Sequence, residues 1–235
     1  MSNELAIDTS KYYADVNTRN LSFLNVSRYL KKKGVDNYKF LLKIYDRDLI
    51  GVDPYSKKLT KEQKTKILRE VQRNPYYYIR EIVRISIPGG VAKFDLHPGN
   101  LAITWAIFNS LNFIIMLPRQ KYKTVSITAA LSWVYFFGTT NTPMLFGNKS
   151  IKDAENNLKR FTDIKNNLPD YLFNAVVDIS KDTDNVTMKL STITNNKINI
   201  HGQAVSAEEA DKQGRGMSIP IWWEDELMLA HLKLL

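Results

Sequence analysis

Two stretches of this sequence carry side chains whose types and spacing could handle phosphate. In Ile114-Ile-Met-Leu-Pro-Arg-Gln-Lys-Tyr-Lys-Thr124 an apolar run enters a turn that ends in Lys-Thr. A phosphate-binding loop has this layout: backbone N–H groups at a helix start wrap the phosphates, a Lys reaches the terminal ones, and a hydroxyl ligates Mg²⁺. Lys123 and Thr124 suit the last two roles. Ile219-Pro-Ile-Trp-Trp-Glu-Asp-Glu226 is a second apolar run, closed by acids. Nucleoside triphosphatases place one such acid on the metal shell and its neighbour on the attacking water, which suits Asp225 and Glu226. A plainer role also exists, because acids at a strand end favour the N-terminal dipole of a following helix. The usual loop pattern has glycines where this chain has Leu117 and Tyr122.

Positioning these residues takes strands that deliver them and helices that cover the strands. The pattern from residue 99 onward predicts a helix over 99–110, a strand over 113–117, a helix over 124–136, a strand over 143–147 and a helix over 150–166. Strands alternating with helices of this length imply crossovers and a mostly parallel sheet, an α/β arrangement. Val186–Leu190 and Lys197–Ile200, joined across Asn195-Asn196, read as a hairpin before the acidic strand. A short helix over 207–211 leads to Arg215. Trp222 and Trp223 are expected to be buried. His97 and His201 have no acid or His at ligand spacing and read as surface or turn residues.

Upstream, the first twenty residues are rich in Asn, Ser, Thr and Asp and read as a mobile arm. Residues 21–90 read as a helical N-terminal extension. Two short amphipathic helices flank Gly34, and Thr60 with Gln63 forms a capping box for a helix carrying Ile67, Leu68 and Val71. Asn74-Pro75 ends that helix and starts another, whose Tyr76-Tyr-Tyr78 cluster suits core packing. Residues 86–95 read as a Pro-Gly-Gly linker into a nucleotide-binding domain over 91–235.

An apolar fraction of 44% argues for a packed core rather than disorder. No apolar run reaches the roughly eighteen residues a membrane helix needs. The chain has no Cys, which removes disulfides and thiolate metal sites. Its formal charge of +9 favours polyanionic partners such as DNA or nucleotide. Lys31-Lys-Lys33 and Lys57-Lys58 through Lys66 hold much of that charge, without an aromatic-basic alternation that would mark a single-strand groove.

Taken in order, these segments resemble one family, the large terminase subunit of tailed bacteriophages. Arg119-Gln-Lys-Tyr-Lys-Thr124 is similar to the family's deviant phosphate loop, Arg-Gln-x-Gly-Lys-Thr. Pro143-Met-Leu-Phe-Gly-Asn148 and Asn167-Leu-Pro-Asp-Tyr-Leu172 are similar to its second strand and the turn that follows. Arg215-Gly216 stands where the family has an Arg-Gly dipeptide before the acidic strand. Asp53-Pro54, Asn74-Pro-Tyr-Tyr-Tyr-Ile-Arg-Glu81 and Phe94-Asp-Leu-His-Pro-Gly-Asn100 resemble the leader of large-genome phage members. The likeness covers roughly residues 40–230.

The resemblance implies a P-loop NTPase of the additional-strand class, an ATPase motor that drives double-stranded DNA into the prohead with ATP and Mg²⁺. Arg119, Gln120, Lys121, Tyr122, Lys123 and Thr124 would form the nucleotide loop, with Arg119 also sensing the γ-phosphate. Thr124 and Asp225 would hold the metal, Glu226 would activate water, and Arg215 would serve a neighbouring subunit's nucleotide. Asn100 stands where the family often has a Gln that reads adenine. Implied partners are a homo-oligomeric ring of this chain, the portal protein, the small terminase subunit and viral DNA. The implied location is the host cytoplasm, transiently at the portal vertex, without a membrane.

Three residues depart from the family pattern: Tyr122 replaces a glycine, Glu224 replaces an apolar residue, and Asn100 replaces Gln. Two alternatives stay open, a related DNA helicase or translocase and a nucleotide-binding module without turnover. The family's C-terminal nuclease has no counterpart before residue 235, so no nuclease activity is assigned. In the additional-strand class one strand lies between the phosphate-loop strand and the acidic strand and follows both in sequence. Only Leu227–Leu235 remain here, so the expectation is an incomplete sheet with unpaired edges around 114–117 and 219–223.

Overall fold

The computed structural model describes residues 12–117, 122–178, 193–202 and 219–225. Its first elements are β1 (Tyr13–Ala14), α1 (Leu21–Lys32), a 3₁₀ turn (Tyr38–Leu42) and β2 (Lys43–Ile44). β1 pairs antiparallel with β2, and Asp15, Thr18 and Asn20 behind it are buried. The expectation of an arm over the first twenty residues therefore fails from residue 12 onward. The polar residues that suggested an arm are internal hydrogen-bonding groups: the Asn20 amide donates to the carbonyls of Arg80 and Phe94, and Thr18 bonds Glu81.

α2 (Lys61–Arg73) starts at the capping box expected from sequence, with Thr60 Oγ1 accepting from Gln63 N and Gln63 Oε1 accepting from Thr60 N. Asn74 then caps α3 (Pro75–Tyr77), which continues as a π-helical turn through Ile82. Tyr77 and Tyr78 are buried, as their clustering suggested. β3 (Arg84–Ile87) and β4 (Gly90–Lys93) form a hairpin where a linker was expected. Gly89 and Gly90 turn the chain at φ +85° and +156°, backbone that L side chains rarely adopt.

The remaining elements are α4 (Pro98–Phe108), α5 (Lys123–Trp133) with a π turn to Gly138, β5 (Pro143–Asn148), α6 (Ile151–Asn166), α7 (Asp170–Val176), β6 (Lys197–Gly202) and β7 (Ile221–Glu224). The last three strands form a parallel sheet in the order β6-β5-β7. β5 is central and buried on both faces, which explains its unbroken apolar sequence. Met144 and Phe146 face the same side as Ile198, Ile200, Ile221 and Trp223, and Phe146 packs its ring on Phe161 of α6 and on Trp223. The opposite face carries Asn199, His201, Trp222 and Glu224. Trp222 is 55% exposed, against expectation, because adjacent strand residues point to opposite faces and only Trp223 meets the core.

β6 pairs in parallel with β5, and 186–190, the partner expected for it in a hairpin, lies outside the described residues, as does the helix expected over 207–211. Asn195 turns at φ +58°, and the buried Asn196 amide then donates to Tyr135 O and Thr139 O and accepts from Thr142 N. One amide thereby docks the start of β6 beside the start of β5.

The segment expected as strand 113–117 joins no ladder among the described residues. Ile115 and Leu117 pack on the core while Ile114 and Met116 are 90% and 80% exposed. The period-two alternation of a strand is present without the hydrogen-bonded neighbour.

The N-terminal elements are joined to the sheet by buried polar contacts. The Tyr55 hydroxyl lies 2.6 Å from Ile82 O and 2.8 Å from Asn167 O, and burial pushes its pKa up to about 12. Arg80, fully buried, bonds Glu81 and Leu41 O. The buried Glu70 carboxylate accepts from Tyr45 N, Asp46 N and the Asn74 amide, and pairs with Arg73. Replacing Glu70 by Ala strands these donors, so a loss of roughly 2–4 kcal/mol is expected, with Glu70→Gln milder. Urea unfolding measures it; an unchanged midpoint for Glu70→Ala would show that water satisfies the donors.

Candidate functional site

The site begins with the strand end that carries Asp225. Phe146 and Trp223 lock β7 against β5 in register, and Asp225 N then donates to Gly147 O at 3.0 Å, so the ladder runs to the acid itself. Asp225 is 5% exposed. Its Oδ1 lies 2.7 Å from Lys123 Nζ, and its Oδ2 accepts from Thr124 Oγ1 at 3.0 Å. Residues 101 positions apart thus share one carboxylate.

Lys123 and Thr124 open α5, whose free N–H groups and dipole favour anions at that end. Tyr122 precedes the helix with φ +54° and ψ +21°, the left-handed conformation for which glycine is the usual residue. A bulky residue there carries a strain of order 1 kcal/mol. The helix is fixed below the site by its small hydroxyl residues: Ser126 Oγ donates to Tyr122 O and Thr128 Oγ1 to Thr124 O, and both are buried. α5 packs against α4 and α6, which accounts for its lack of a polar face.

The N-terminus of α4 adjoins this loop. His97 and Tyr122 rings meet edge to face with centroids 6.1 Å apart. His97 Nδ1 accepts from Gly99 N, and the Asn100 carboxamide accepts from His97 N and donates to Asp95 O. Asn100, expected to read a base, is fully buried with its amide holding these backbone groups. His97 is a capping residue in a turn, in keeping with its sequence context. Arg119, Gln120, Lys121, Arg215 and Glu226 lie outside the described residues.

A second constellation, not expected from sequence, sits one residue before Asp225. His201 of β6 and Glu224 of β7 both register with Gly147 of β5 and meet across it, Nε2 to Oε2 at 3.1 Å. Trp222 Nε1 donates to the same carboxylate oxygen at 2.8 Å, and His201 Nδ1 contacts Gly202 O at 3.1 Å. A Cβ on Gly147 would collide with Glu224 Oε2 and His201 Nε2. The sequence signals were a glycine inside an otherwise apolar strand and an acid before the acidic pair; neither names the His twenty-three residues upstream.

Chemically, Asp225 and Thr124 are oxygen donors of the kind a hard cation takes, with Lys123 able to serve a phosphate. Among the described residues no group of three or more His, Cys, Asp or Glu could hold a metal. That donor set suits Mg²⁺, which commonly binds one or two carboxylates plus substrate phosphates and water. No family model matches the chain, and no match to a curated protein was found. No helix among the described residues is long and apolar enough to cross a membrane.

Gly147→Ala is expected to destabilise the chain by about 1–3 kcal/mol through overpacking. Combining it with Glu224→Ala should recover much of that loss, giving a coupling of roughly 1 kcal/mol or more in a double-mutant cycle. Thermal or urea unfolding of the four variants checks it. Additive effects would mean that Gly147 makes room for something other than the Glu224 carboxylate.

Proposed function

We propose that this chain binds and hydrolyses ATP with Mg²⁺ as the motor domain of a terminase-like DNA-packaging machine. The observation that carries this proposal is the convergence of Lys123 and Thr124 on the Asp225 carboxylate. It is the relation a phosphate-loop Lys-Thr has to a metal-binding acid on the neighbouring sheet. The parallel sheet with flanking helices is compatible with this reading, since it is an α/β arrangement that carries the acid at a strand end. The sequence resemblance supplies the terminase part: double-stranded DNA, a homo-oligomeric ring, portal protein and small subunit as partners, in the host cytoplasm.

In this scheme Lys123 leaves Asp225 to contact the β- and γ-phosphates, and Thr124 with Asp225 would hold the cation. Bound Mg²⁺ would neutralise charge on the phosphate oxygens. Glu226, next along the chain, takes a proton from water; the water oxygen bonds to Pγ as the Pγ–O bond to ADP breaks, releasing ADP and phosphate. Arg119 stabilises the γ-phosphate in the same subunit and Arg215 reaches a neighbouring subunit's site. Asn100 braces the turn beside the loop, and Gln120 with Lys121 completes the phosphate cradle. Tyr122 at positive φ favours one alternative, a nucleotide-binding module without turnover, because it holds a strained left-handed backbone where the usual loop pattern has glycine.

Lys123→Ala should weaken nucleotide binding at least tenfold, whereas Glu226→Gln should retain binding and lose hydrolysis by a hundredfold or more, as expected for a positioned general base. Titration with labelled ATP beside a phosphate-release assay separates these outcomes. Binding without turnover in the unmodified chain would select the binding module; full turnover by Glu226→Gln would remove Glu226 from the mechanism. If Arg215 acts across subunits, mixing Arg215→Ala with Glu226→Gln chains should restore part of the activity that each lacks. Mixed assemblies with no recovery, despite verified association, would place Arg215 within its own subunit.

A further inference from the structure

Tyr122 stands at φ +54° immediately before Lys123, a conformation that an L side chain holds against its preference for other regions. Its carbonyl is fixed from the helix side, accepting from Ser126 N at 2.9 Å and from Ser126 Oγ at 2.8 Å. Its ring is 57% exposed and meets the His97 ring edge to face, with centroids 6.1 Å apart and planes at 62°. The ring contact therefore joins the residue before Lys123 to the turn that opens α4.

His97 can act as a fixed point because its own turn is held from several sides. Phe94 and Leu96 are buried, the Asn20 amide donates to Phe94 O, and Leu96 N donates to Ser22 Oγ, which ties the turn to the start of α1. The buried Asn100 amide accepts from His97 N and donates to Asp95 O, while His97 Nδ1 accepts from Gly99 N. One ring nitrogen and the backbone of His97 are thus engaged by its own turn. Capping α4 asks only for a short acceptor, for which Ser, Thr, Asp and Asn are the preferred residues. An imidazole here supplies the acceptor and also a ring, and the ring reaches Tyr122.

We propose that His97 is a positioning residue of the phosphate site, holding Tyr122 in the left-handed conformation from which α5 starts. A left-handed residue beside a helical one turns their successive N–H groups toward one concavity, the arrangement of an anion-binding nest. Glycine keeps such a conformation without help, whereas a tyrosine that relaxes turns the Lys123 N–H away from its partner. Contact with the His97 ring favours the conformation in which that contact is made. The turn over 94–100 thereby fixes the entry to α5 as well as the start of α4. This inference rests on the phosphate-site reading given above and adds a residue to it.

Two substitutions divide the roles of His97, with binding of Mg²⁺-ATP and of inorganic tripolyphosphate to the full chain measured beside a melting temperature. His97→Asn keeps a capping acceptor and removes the ring. Its melting temperature should stay near that of the unmodified chain while both ligands bind about fivefold more weakly, the scale set by left-handed strain. His97→Phe keeps a ring against Tyr122 and removes the acceptor; it should melt earlier yet bind within about twofold well below its melting temperature. In a Tyr122→Gly background, where no clamp is needed, His97→Asn should cost less than about twofold in affinity. A purely structural His97 reverses the order, with Phe the damaging change in both readouts, and that result would overturn the proposal. A fivefold loss from His97→Asn that persists in the Tyr122→Gly chain would do the same. Binding that needs Lys123 but is indifferent to His97→Asn would sink this inference alone, whereas no binding of either ligand by the unmodified chain would remove the phosphate site and this inference with it.

Discussion

The candidate site depends on one buried carboxylate having two partners from another part of the chain. Asp225 would be an expensive group to bury alone, since desolvation penalises its charge by several kcal/mol. Lys123 and the Thr124 hydroxyl offset that penalty, and in doing so they hold the first turn of α5 against the tip of β7. The arrangement also sets the chemistry available. On the proposed reading, a cation at Asp225 would compete with Lys123, and a phosphate at Lys123 would free Asp225, so that the two ligands would be taken up together. That competition requires no movement of the sheet, only of a lysine side chain that is already partly exposed.

The rest of the molecule keeps α5 and β7 in place through buried polar groups as much as through apolar packing. Tyr55 bridges two carbonyls from different elements, Arg80 fastens the 3₁₀ turn to the π turn, and Asn196 docks β6 beside β5. Each of these groups is directional, so each specifies a unique docking geometry where methyl groups alone would tolerate sliding. Apolar clusters supply the bulk of the driving force, and the layer of rings from Tyr135 through Phe161, Phe146 and Trp223 runs from α5 across the sheet.

Much of this was legible in the residues. The capping box at Thr60, the helix start after Ser150, the buried central strand and the helix behind Lys123 all follow from local patterns that tertiary structure left intact. The meeting of Lys123, Thr124 and Asp225 was legible as chemistry, because few other arrangements use Lys-Thr and an acid at the mouths of two apolar runs. The errors have physical causes. The Pro-Gly-Gly stretch looked like a linker because glycines at positive φ serve both linkers and tight hairpins. The polar composition of residues 12–20 looked solvated, yet those side chains bond buried backbone.

The glycine in β5 has a mechanical consequence. Neighbouring strands lie about 4.8 Å apart, so side chains on the two outer strands of a three-stranded sheet are separated by about twice that distance and ordinarily ignore each other. At Gly147 the intervening side chain is missing, and His201 touches Glu224 directly. Backbone ladders resist separation of strands but allow small longitudinal shear; a side-chain bond that skips the middle strand opposes shear between its neighbours. β6, β5 and β7 are thereby stitched into a plate at the edge nearest Asp225, and a force applied to the tip of β6 is transmitted to the acid-bearing tip of β7 without first deforming the strand between them.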